Sequence, residues 1–338
     1  MRVLLLGGSG LLSGAARTAF LTAGHDVTVL TRGRRRLAAA VGLHEVHGDR
    51  TDAAALARVL AAQRFDFTVD FLGFEGDDVR RLFAVPDFSP GRLAMISTGQ
   101  VYLVTRDPHP PFREADADAP TMAEPAHDSR AWHNWVYGMG KRRAESALVQ
   151  EGALRGVPVL ALRCPVVQGE ADGTSSQRLW GWLERMRDGG PVLLPEGGVQ
   201  SVRFVYSGDV ARALVRLAEG TGWPGVPALN LAQPDEEPLR VFLDRLARLA
   251  GLAPRFVTVT AADLEAAGLA DTCAPYWGRW CSRPDPAAAF EALGFRTSGP
   301  EEYLPGVVRA HLTDPPPESH PGYAHRSSEL ALVARIAG

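Results

Sequence analysis

The stretch LLLGGSGLLSG, residues 4–14, joins an apolar run to a segment with helical spacing. The apolar residues before the first glycine are typical of a short buried strand, and the helical spacing covers residues 10–23. Gly7 and Gly10 allow a tight turn between the two, and Ser13 stands at the third position of the same three-residue rhythm. Because serine adds only a hydroxymethyl group, we expect it to be tolerated there.

This turn belongs to a βαβ pattern. The first strand covers residues 2–6, and a second apolar strand, residues 26–31, follows the helix. In such a unit the N–H groups of the glycine turn and the N-terminus of the helix together favour a pyrophosphate, so the pattern predicts dinucleotide binding. A plain structural turn without a ligand is the alternative interpretation.

The alternation of strands and helices continues for about 165 residues. Further strands are predicted at 44–49, 67–73, 92–98 and 157–165, and further helices at 55–63, 77–84 and 138–152. After about residue 166, Gly, Pro and Trp become frequent and the helical segments shorter. We therefore predict an α/β protein: a Rossmann-type doubly wound parallel sheet over residues 1–166, with later segments returning to it, and a smaller substrate-binding lobe over residues 167–338.

The composition narrows the possible partners. A net charge of -3 over 338 residues gives no electrostatic reason to expect nucleic acid or an anionic membrane. The three cysteines, Cys164, Cys273 and Cys281, are too few and too widely spaced for a metal cluster, and reduced thiols are the expectation. No apolar run is long enough to span a membrane, and the N-terminus does not resemble a signal peptide. We expect a cytoplasmic protein with no metal site.

The end of the second predicted strand bears on the choice of cofactor. An acidic residue there would bind the ribose hydroxyls of NAD, but this strand ends in Thr31-Arg32-Gly33. A 2′-phosphate can pair with Arg32, together with Arg34 or Arg35, and this favours NADP over NAD. Asp49 is a candidate for contact with the adenine, or else an aspartate of a turn or a helix N-cap.

Tyr137 and Lys141 form a candidate catalytic pair. A spacing of four places them on one face of a helix, and an ammonium beside a phenol favours the phenolate. Such a tyrosine can move a proton to or from an alcohol while a nicotinamide cofactor moves a hydride. Thr98 ends the strand of ISTGQVY, residues 96–102, and its hydroxyl can bind the same substrate oxygen.

Three motifs stand in a familiar order: GxxGxxS at 7–13, STGQVY at 97–102 and YGMGK at 137–141. With them the chain resembles an atypical member of the extended short-chain dehydrogenase/reductases, the NAD(P)-dependent sugar epimerase/dehydratase group. Similar stretches, LRCPVVQG at 162–169, RFVYSGDVARAL at 203–214 and the run at 229–251, extend the resemblance to about residues 1–297. It implies a homodimer and a catalytic set of Thr98, Tyr137 and Lys141. The implied cofactor contacts are Gly7, Gly10, Leu11, Leu12, Ser13, Arg32, Asp49, Leu72, Gly73, Tyr137 and Lys141.

Two departures from the family pattern limit the chemistry. The family's 4,6-dehydratases carry an Asp-Glu pair directly after the catalytic threonine, where this chain has Gly99 and Gln100, so water loss is disfavoured. The arginine that many of its members use for a nucleotide-sugar diphosphate aligns with Val202. The candidate substrate residues are Trp132, His133, Arg178 and Arg203, each of which has a structural role as its alternative.

The resulting expectation is an NAD(P)-dependent oxidoreductase. It would transfer hydride at a secondary alcohol or ketone of a sugar-like or natural-product substrate, with epimerisation as one outcome. A simple NADPH-dependent ketone reductase is the first alternative. The second is not an enzyme: a cofactor-binding sensor or an RNA-associated protein on the same fold.

Overall fold

The computed structural model describes residues 1–34, 36–170 and 177–337; Arg35, one of the predicted phosphate ligands, lies outside them. The strands are β1 Arg2–Leu6, β2 Asp26–Thr31, β3 Leu43–His47, β4 Phe67–Asp70, β5 Arg92–Thr98, β6 Val159–Cys164, β7 Val166–Gln168, β8 Val192–Pro195, β9 Ser201–Val202, β10 Phe204–Tyr206, β11 Ala228–Asn230, β12 Glu237–Pro238 and β13 Phe256–Val259. The α-helices are α1 Leu11–Thr22, α2 Ala53–Leu60, α3 Gly76–Phe83, α4 Gln100–Leu103, α5 Arg130–Arg155, α6 Arg178–Arg187, α7 Ser207–Glu219, α8 Leu239–Leu249, α9 Ala261–Ala266, α10 Ala287–Leu293, α11 Pro300–Thr313 and α12 Arg326–Ala337. Short 3₁₀ turns occupy Glu114–Asp118, Glu196–Gly198 and Pro321–His325.

A seven-stranded sheet confirms the predicted Rossmann-type α/β fold. Its strand order is β11-β6-β5-β4-β1-β2-β3, and neighbouring strands run parallel. Because β1 lies between β4 and β2, the order of the strands reverses at β1, and the crevice beyond its carboxyl end is where such sheets bind ligands. The residues that follow β1, β2, β4 and β5 therefore meet along one edge.

The first strand shows why the sheet is apolar on both faces. Val3 and Leu5 are buried in a cluster with Phe20 of α1, whereas Leu4 and Leu6 are buried in a second cluster with Leu56 of α2. Alternate side chains of a strand point to opposite faces, so a sheet covered by helices on both sides needs a continuous apolar run. The run RVLLL meets that requirement.

The chain divides into two compact units. The first comprises residues 1–167, 205–234 and 282–297, and the second comprises residues 168–204, 235–281 and 298–338. The second unit has its own core. Phe204 packs against Phe242 and Tyr276 there, with ring centroids 4.7 and 5.0 Å away, and a fully buried Arg185–Glu329 ion pair fastens α12 to α6.

Several predicted boundaries are wrong by two or more residues; the helix predicted at 55–63, for example, ends at Leu60. Two of the differences bear on the candidate site. The long helix begins at Arg130 instead of residue 138, because the Ser129 hydroxyl accepts a hydrogen bond from the backbone N–H of Trp132 and caps it. Glycines at 138 and 140 had weakened the helical pattern of this stretch. The strand predicted to reach residue 73 ends at Asp70, where a buried carboxylate begins a turn.

Candidate active site

The glycine turn after β1 is built as a close backbone approach. Gly7 has φ +92°, a conformation that L side chains rarely adopt, and a Cβ at Gly8 would stand 2.1 Å from Val29. Ser13 is buried, and its hydroxyl accepts a hydrogen bond of 3.1 Å from the N–H of Gly10. The serine thus closes the turn from within. A Cβ at Gly14 would meet nothing within 4 Å, so that glycine is not required by packing.

A cavity of about 310 Å³ opens beside this turn, at the carboxyl ends of β1 to β4. It has the size of a ligand pocket and lies against a backbone cradle that side chains would fill. These features fit a pyrophosphate-bearing dinucleotide. The lining residues are Gly7, Gly8, Ser9, Leu30, Thr31, Arg32, Gly48, Asp49, Arg50, Thr51, Leu72, Phe74 and Asp78. Of the other predicted cofactor contacts, Leu11 and Leu12 are partly exposed in the first turn of α1, and Gly73 is buried next to Leu72.

Asp49 is an exposed turn residue in the lining of this cavity. One of its carboxylate oxygens accepts hydrogen bonds from the N–H and the hydroxyl of Thr51, at 2.9 and 2.7 Å. These bonds, helped by the charges of Arg32 and Arg34, hold the pKa of Asp49 below its ordinary value. The neighbouring Asp52, not Asp49, caps α2. Arg32 is exposed and lines the same cavity, so the cavity carries charges of both signs.

Two glycines let α5 pack closely on the segments that follow β4 and β5. A Cβ at Gly138 would come within 2.9 Å of the carbonyl oxygen of Gln100, which follows β5. A Cβ at Gly140 would come within 2.7 Å of the carbonyl oxygen of Phe74, which follows β4. The glycines of YGMGK therefore bring the helical turn from Tyr137 to Lys141 against the edge of the sheet that carries the cavity.

Lys141 is buried, with 2% of its surface exposed. Its ammonium donates a hydrogen bond of 2.8 Å to the carbonyl oxygen of Ile96 in β5 and lies 4.7 Å from the centre of the Phe74 ring. Burial lowers its pKa to about 8, although the carboxylates of Asp70 and Glu145 favour the charged form. This amine can therefore gain or lose a proton near neutral pH.

The sequence holds a signal for this residue that motif spacing does not use. The chain contains 36 lysines and arginines together, and Lys141 is its single lysine. A guanidinium stays protonated at any pH that proteins encounter, whereas a buried ammonium shifts its pKa readily. All the other members of this set are arginines. Lysine occurs only at position 141, where the buried cation is compact and can change its charge.

Thr98 contacts Gln100 directly, and Tyr137 stands next to Gly138, which packs on the same residue. Thr98 is the last residue of β5, and its hydroxyl accepts a hydrogen bond of 3.2 Å from the N–H of Gln100. Tyr137 directly precedes Gly138, which packs on the Gln100 carbonyl, and 40% of Tyr137 is exposed. The Tyr137 ring lies 6.4 Å from that of Phe74, measured between centroids.

The candidate substrate residues Trp132 and His133 lie in the first turn of α5. The indole N–H of Trp132 donates to Glu124 at 2.8 Å, and its ring is 4.9 Å from that of His127. The Nδ1 atom of His133 is hydrogen-bonded to the carbonyl oxygen of Ser129 at 2.9 Å, and the His133 side chain is exposed. Both residues thus have local partners at the start of the helix.

The two candidate arginines belong to the second unit. Arg203 is buried, and its guanidinium lies 3.2 Å from the carboxylate of Glu236 in the same unit. Arg178 is the first residue of α6 and is partly exposed. The ion pair is consistent with the structural role that is the alternative interpretation of Arg203, and substrate binding by either arginine stays a prediction.

Gly99 and Gln100 have structural reasons for their identity. A Cβ at Gly99 would stand 2.2 Å from the hydroxyl oxygen of Ser282, so the position has no room for the aspartate of a dehydratase. The Gln100 amide donates to Asn134 of α5 at 2.9 Å. Cys164 is a buried thiol, and burial raises its pKa to about 12.

A buried polar network behind β5 was not predicted. Arg163 of β6 donates to the carboxylate of Glu145 and to the hydroxyl of Tyr102, the latter at 3.0 Å, and Ser97 also donates to Glu145. Tyr102 in turn donates to Asn230 at 2.6 Å. Burial raises the pKa of Tyr102 to about 12, so the tyrosine of STGQVY is a structural residue.

Within residues 1–34, 36–170 and 177–337, no cluster of three or more histidine, cysteine or carboxylate side chains has the arrangement of a metal site. None of the helices there is long and apolar enough to cross a membrane.

Comparison with known proteins extends the resemblance indicated by the motifs. Two relatives match about two thirds of the chain or more. The chloroplast stem-loop binding protein of 41 kDa b from Arabidopsis thaliana is 24% identical over 231 residues, which are 64% of this chain and 54% of that protein. The 2′-dehydrokanamycin reductase of Streptomyces kanamyceticus is 26% identical over 252 residues, 73% of this chain and 66% of that protein. The chain therefore matches between half and two thirds of these relatives' lengths.

Solved structures share the fold. The WbmH enzyme of Bordetella bronchiseptica in complex with NAD⁺ aligns with a TM-score of 0.69 at 18% identity, over 93% of this chain and 99% of that one. The UDP-glucose 4-epimerase of Thermotoga maritima with UDP-glucose aligns with a TM-score of 0.70 at 17% identity, over the same shares of the two chains. The model of the NAD dependent epimerase/dehydratase family matches residues 3–83 and 84–226, about two thirds of the chain. This chain belongs to the NAD dependent epimerase/dehydratase family.

Proposed function

We propose that this protein is an NAD(P)-dependent oxidoreductase that transfers hydride at a secondary alcohol or ketone of a sugar-like or natural-product substrate. One observation carries the proposal: the chain's single lysine is buried one helical turn from the exposed Tyr137, on the sheet edge that opens into the nucleotide-sized cavity. Family membership supports it. When bound, the nicotinamide cofactor supplies or accepts the hydride.

The residues of this chain handle the proton. The Tyr137 hydroxyl donates a proton to the oxygen of a ketone, or accepts one from an alcohol, as hydride moves. Lys141 has a pKa of about 8, so at neutral pH it is mainly the ammonium, whose positive charge stabilises the phenolate that remains after donation. The Thr98 hydroxyl binds the same substrate oxygen and orients it. The glycine turn and the first turn of α1, from Gly7 to Ser13, hold the pyrophosphate.

We propose NADP as the preferred cofactor, with NAD as the alternative. The support is Arg32, which lines the cavity directly after β2, where an NAD-binding protein would place a carboxylate. The charge of Arg34 also acts on Asp49, which lines the same cavity. A 2′-phosphate would pair with these guanidinium groups.

Net reduction of a ketone is the form of the reaction that we favour, with epimerisation as the alternative. One of the relatives is a reductase by name, and a preference for NADP suits an enzyme that releases its cofactor after each turnover. Epimerisation requires instead that the cofactor stay bound while the ketone returns hydride to its other face. Dehydration is disfavoured, because Gly99 leaves no space for an acidic side chain.

The test begins with the purified protein and its nucleotide. Denatured protein is analysed for released cofactor: empty protein that binds NADPH supports the reductase, and stoichiometric NAD supports the epimerase. Tyr137→Phe should abolish oxidation of NADPH by ketones of the sugar and aminoglycoside class while leaving the Kd for NADPH unchanged. Retained turnover in this variant would refute the assignment. Binding of an RNA hairpin in a filter assay, with no affinity for NAD(H) or NADP(H), would favour the non-enzymatic alternative.

We further propose that the protein is a homodimer and that the long helix α5 of each protomer forms part of the interface. The support from this chain is that α5 exposes two apolar side chains, Val149 and Leu154, the latter to 80%. Sedimentation equilibrium of the wild type and of Leu154→Glu tests this: dissociation of the variant alone is the expected result.

A further inference from the structure

The segment 71–75, between β4 and α3, is held by two carboxylates. Asp70 accepts a hydrogen bond of 2.8 Å from the N–H of Leu72, and Asp78 accepts bonds of 3.0 Å from the N–H groups of Phe74 and Glu75. All the backbone N–H groups from Leu72 to Glu75 except that of Gly73 are therefore bound to an acidic side chain. The segment is fixed from both ends.

Arg50 contacts both of these aspartates. One terminal nitrogen donates to Asp70 at 2.6 Å, the other donates to the carbonyl oxygen of Asp78 at 2.9 Å, and Nε lies 3.7 Å from the Asp78 carboxylate. Only 8% of Arg50 is exposed, and it lines the cavity directly after Asp49. A buried charge of this kind persists only where its partners are well placed.

The segment in turn covers the lysine. Its Phe74 ring lies over the ammonium of Lys141, and the carbonyl of Phe74 packs on Gly140 of α5. The charges that act on Lys141 come from several elements. Asp70 of β4 and Glu145 of α5 favour the ammonium, Arg50 opposes it, and the buried thiol of Cys164 in β6 is a further titratable neighbour.

We propose that Arg50 and Asp70 are positioning residues for Lys141: together they fix the segment that seats Phe74 over its ammonium. The pair neither lies on α5 nor forms part of the three family motifs. Its effect on turnover rests on the proposed function, whereas its effect on Lys141 does not.

The single lysine makes a direct test possible. Protein labelled with [¹³Cε]lysine gives one lysine signal, and its chemical shift is followed from pH 6 to pH 11 without substrate or cofactor. Asp70→Asn removes the attracting charge and should lower the pKa of Lys141, whereas Arg50→Gln removes the opposing charge and should raise it, each by about half a unit or more. The double variant should return toward the wild type. Arg58→Gln, the same change on an exposed residue of α2, should move nothing.

Folding is checked by near-UV circular dichroism. If Arg50→Gln does not fold, Asp70→Asn and the double variant, which leaves no unpaired charge, still decide the matter. Folded variants that shift the titration in the same direction, or not at all, overturn the proposal. In the active protein, the pH profile of kcat should move with the NMR titration. If the NMR shifts occur but the wild type turns over no ketone or alcohol, the proposed function fails and the positioning role stands.

Discussion

The ammonium of Lys141 lies 4.7 Å from the centre of the Phe74 ring. An aromatic side chain from the segment after β4 therefore covers the only lysine amine of the chain, while the Ile96 carbonyl accepts its hydrogen bond. Burying a cation in this way costs folding free energy, and the same desolvation brings its pKa close to neutral pH. Reactivity and stability are thus opposed at one residue.

The stability cost of Lys141 should depend on pH. Its pKa is about 8 in the folded protein and 10.5 in the unfolded chain, so between these values the unfolded chain binds more protons and rising pH favours folding. Relative to Lys141→Met, the wild type should gain on the order of 3 kcal/mol of unfolding free energy from pH 8 to pH 10.5, at about 1.4 kcal/mol per pKa unit. Urea denaturation of both proteins across this range measures the difference. A difference that does not change with pH would contradict the assigned pKa.

The glycines of YGMGK should resist substitution although they lie inside a helix. Alanine is the better helix former, by about 1 kcal/mol, but at positions 138 and 140 its Cβ would approach carbonyl oxygens to less than 3 Å. We expect Gly138→Ala and Gly140→Ala to destabilise the protein by about 1–3 kcal/mol. Gly14→Ala in α1 is the matched control, because open space surrounds that position and the same change should stabilise. Thermal unfolding of the three variants shows whether each substitution raises or lowers the stability.

Arg32 should determine the preference between cofactors. Loss of a charge-assisted hydrogen bond to the 2′-phosphate in Arg32→Gln should weaken NADPH binding by about tenfold or more, with little effect on NADH. Fluorescence titration with the two nucleotides gives the ratio of the Kd values. Arg58→Gln on α2 has the same change of net charge away from the cavity and should preserve the ratio. Equal weakening of both nucleotides by Arg32→Gln would point to the pyrophosphate instead.

The space at Gly99 should be limited by Ser282. Gly99→Ala places a methyl group where the Ser282 side chain lies and should cost about 1–3 kcal/mol. Because the clash involves both the Cβ and the hydroxyl of Ser282, Ser282→Gly in the same chain should recover most of the loss. A double-mutant cycle by chemical denaturation measures the coupling between the two positions. Additive effects would show that another contact excludes the methyl group.

The parts of the fold that follow from local pattern could be predicted from the sequence. The run RVLLL, the glycine turn and the apolar strand DVTVLT give the parallel sheet and its first crossover, because each depends on residues close together in the chain. The start of α5 could not be predicted. Gly138 and Gly140 are needed for close packing on carbonyl groups in distant segments, and these glycines weaken the helical pattern of the sequence. The Arg50–Asp70 pair could not be predicted either, since its partners stand 20 residues apart with no spacing rule to join them.

The candidate site divides in the same way. Tyr137, Lys141 and Thr98 stand in motifs and can be named from the sequence alone. The proposed roles of Phe74 and Asp70 depend on where β4 ends. The strand ends three residues before the predicted boundary, so these roles could not be inferred from the sequence. The absence of lysine from the rest of the chain is visible in the sequence, and it marks position 141 without any motif.

The contacts of Asn230 limit which truncated forms of this protein can fold. Its side-chain amide donates to the carbonyl oxygens of Phe112 and Asp285, and its carbonyl oxygen accepts from Tyr102, so three separate stretches of the chain meet at one residue. A fragment that stopped at Val167 would lose Asn230 and Asp285, so the buried hydroxyl of Tyr102 would keep its bond from Arg163 but lose the acceptor of its own proton. The first compact unit is therefore not a piece that truncation at Val167 can release, and shortened genes for expression or for domain exchange need to carry all three stretches.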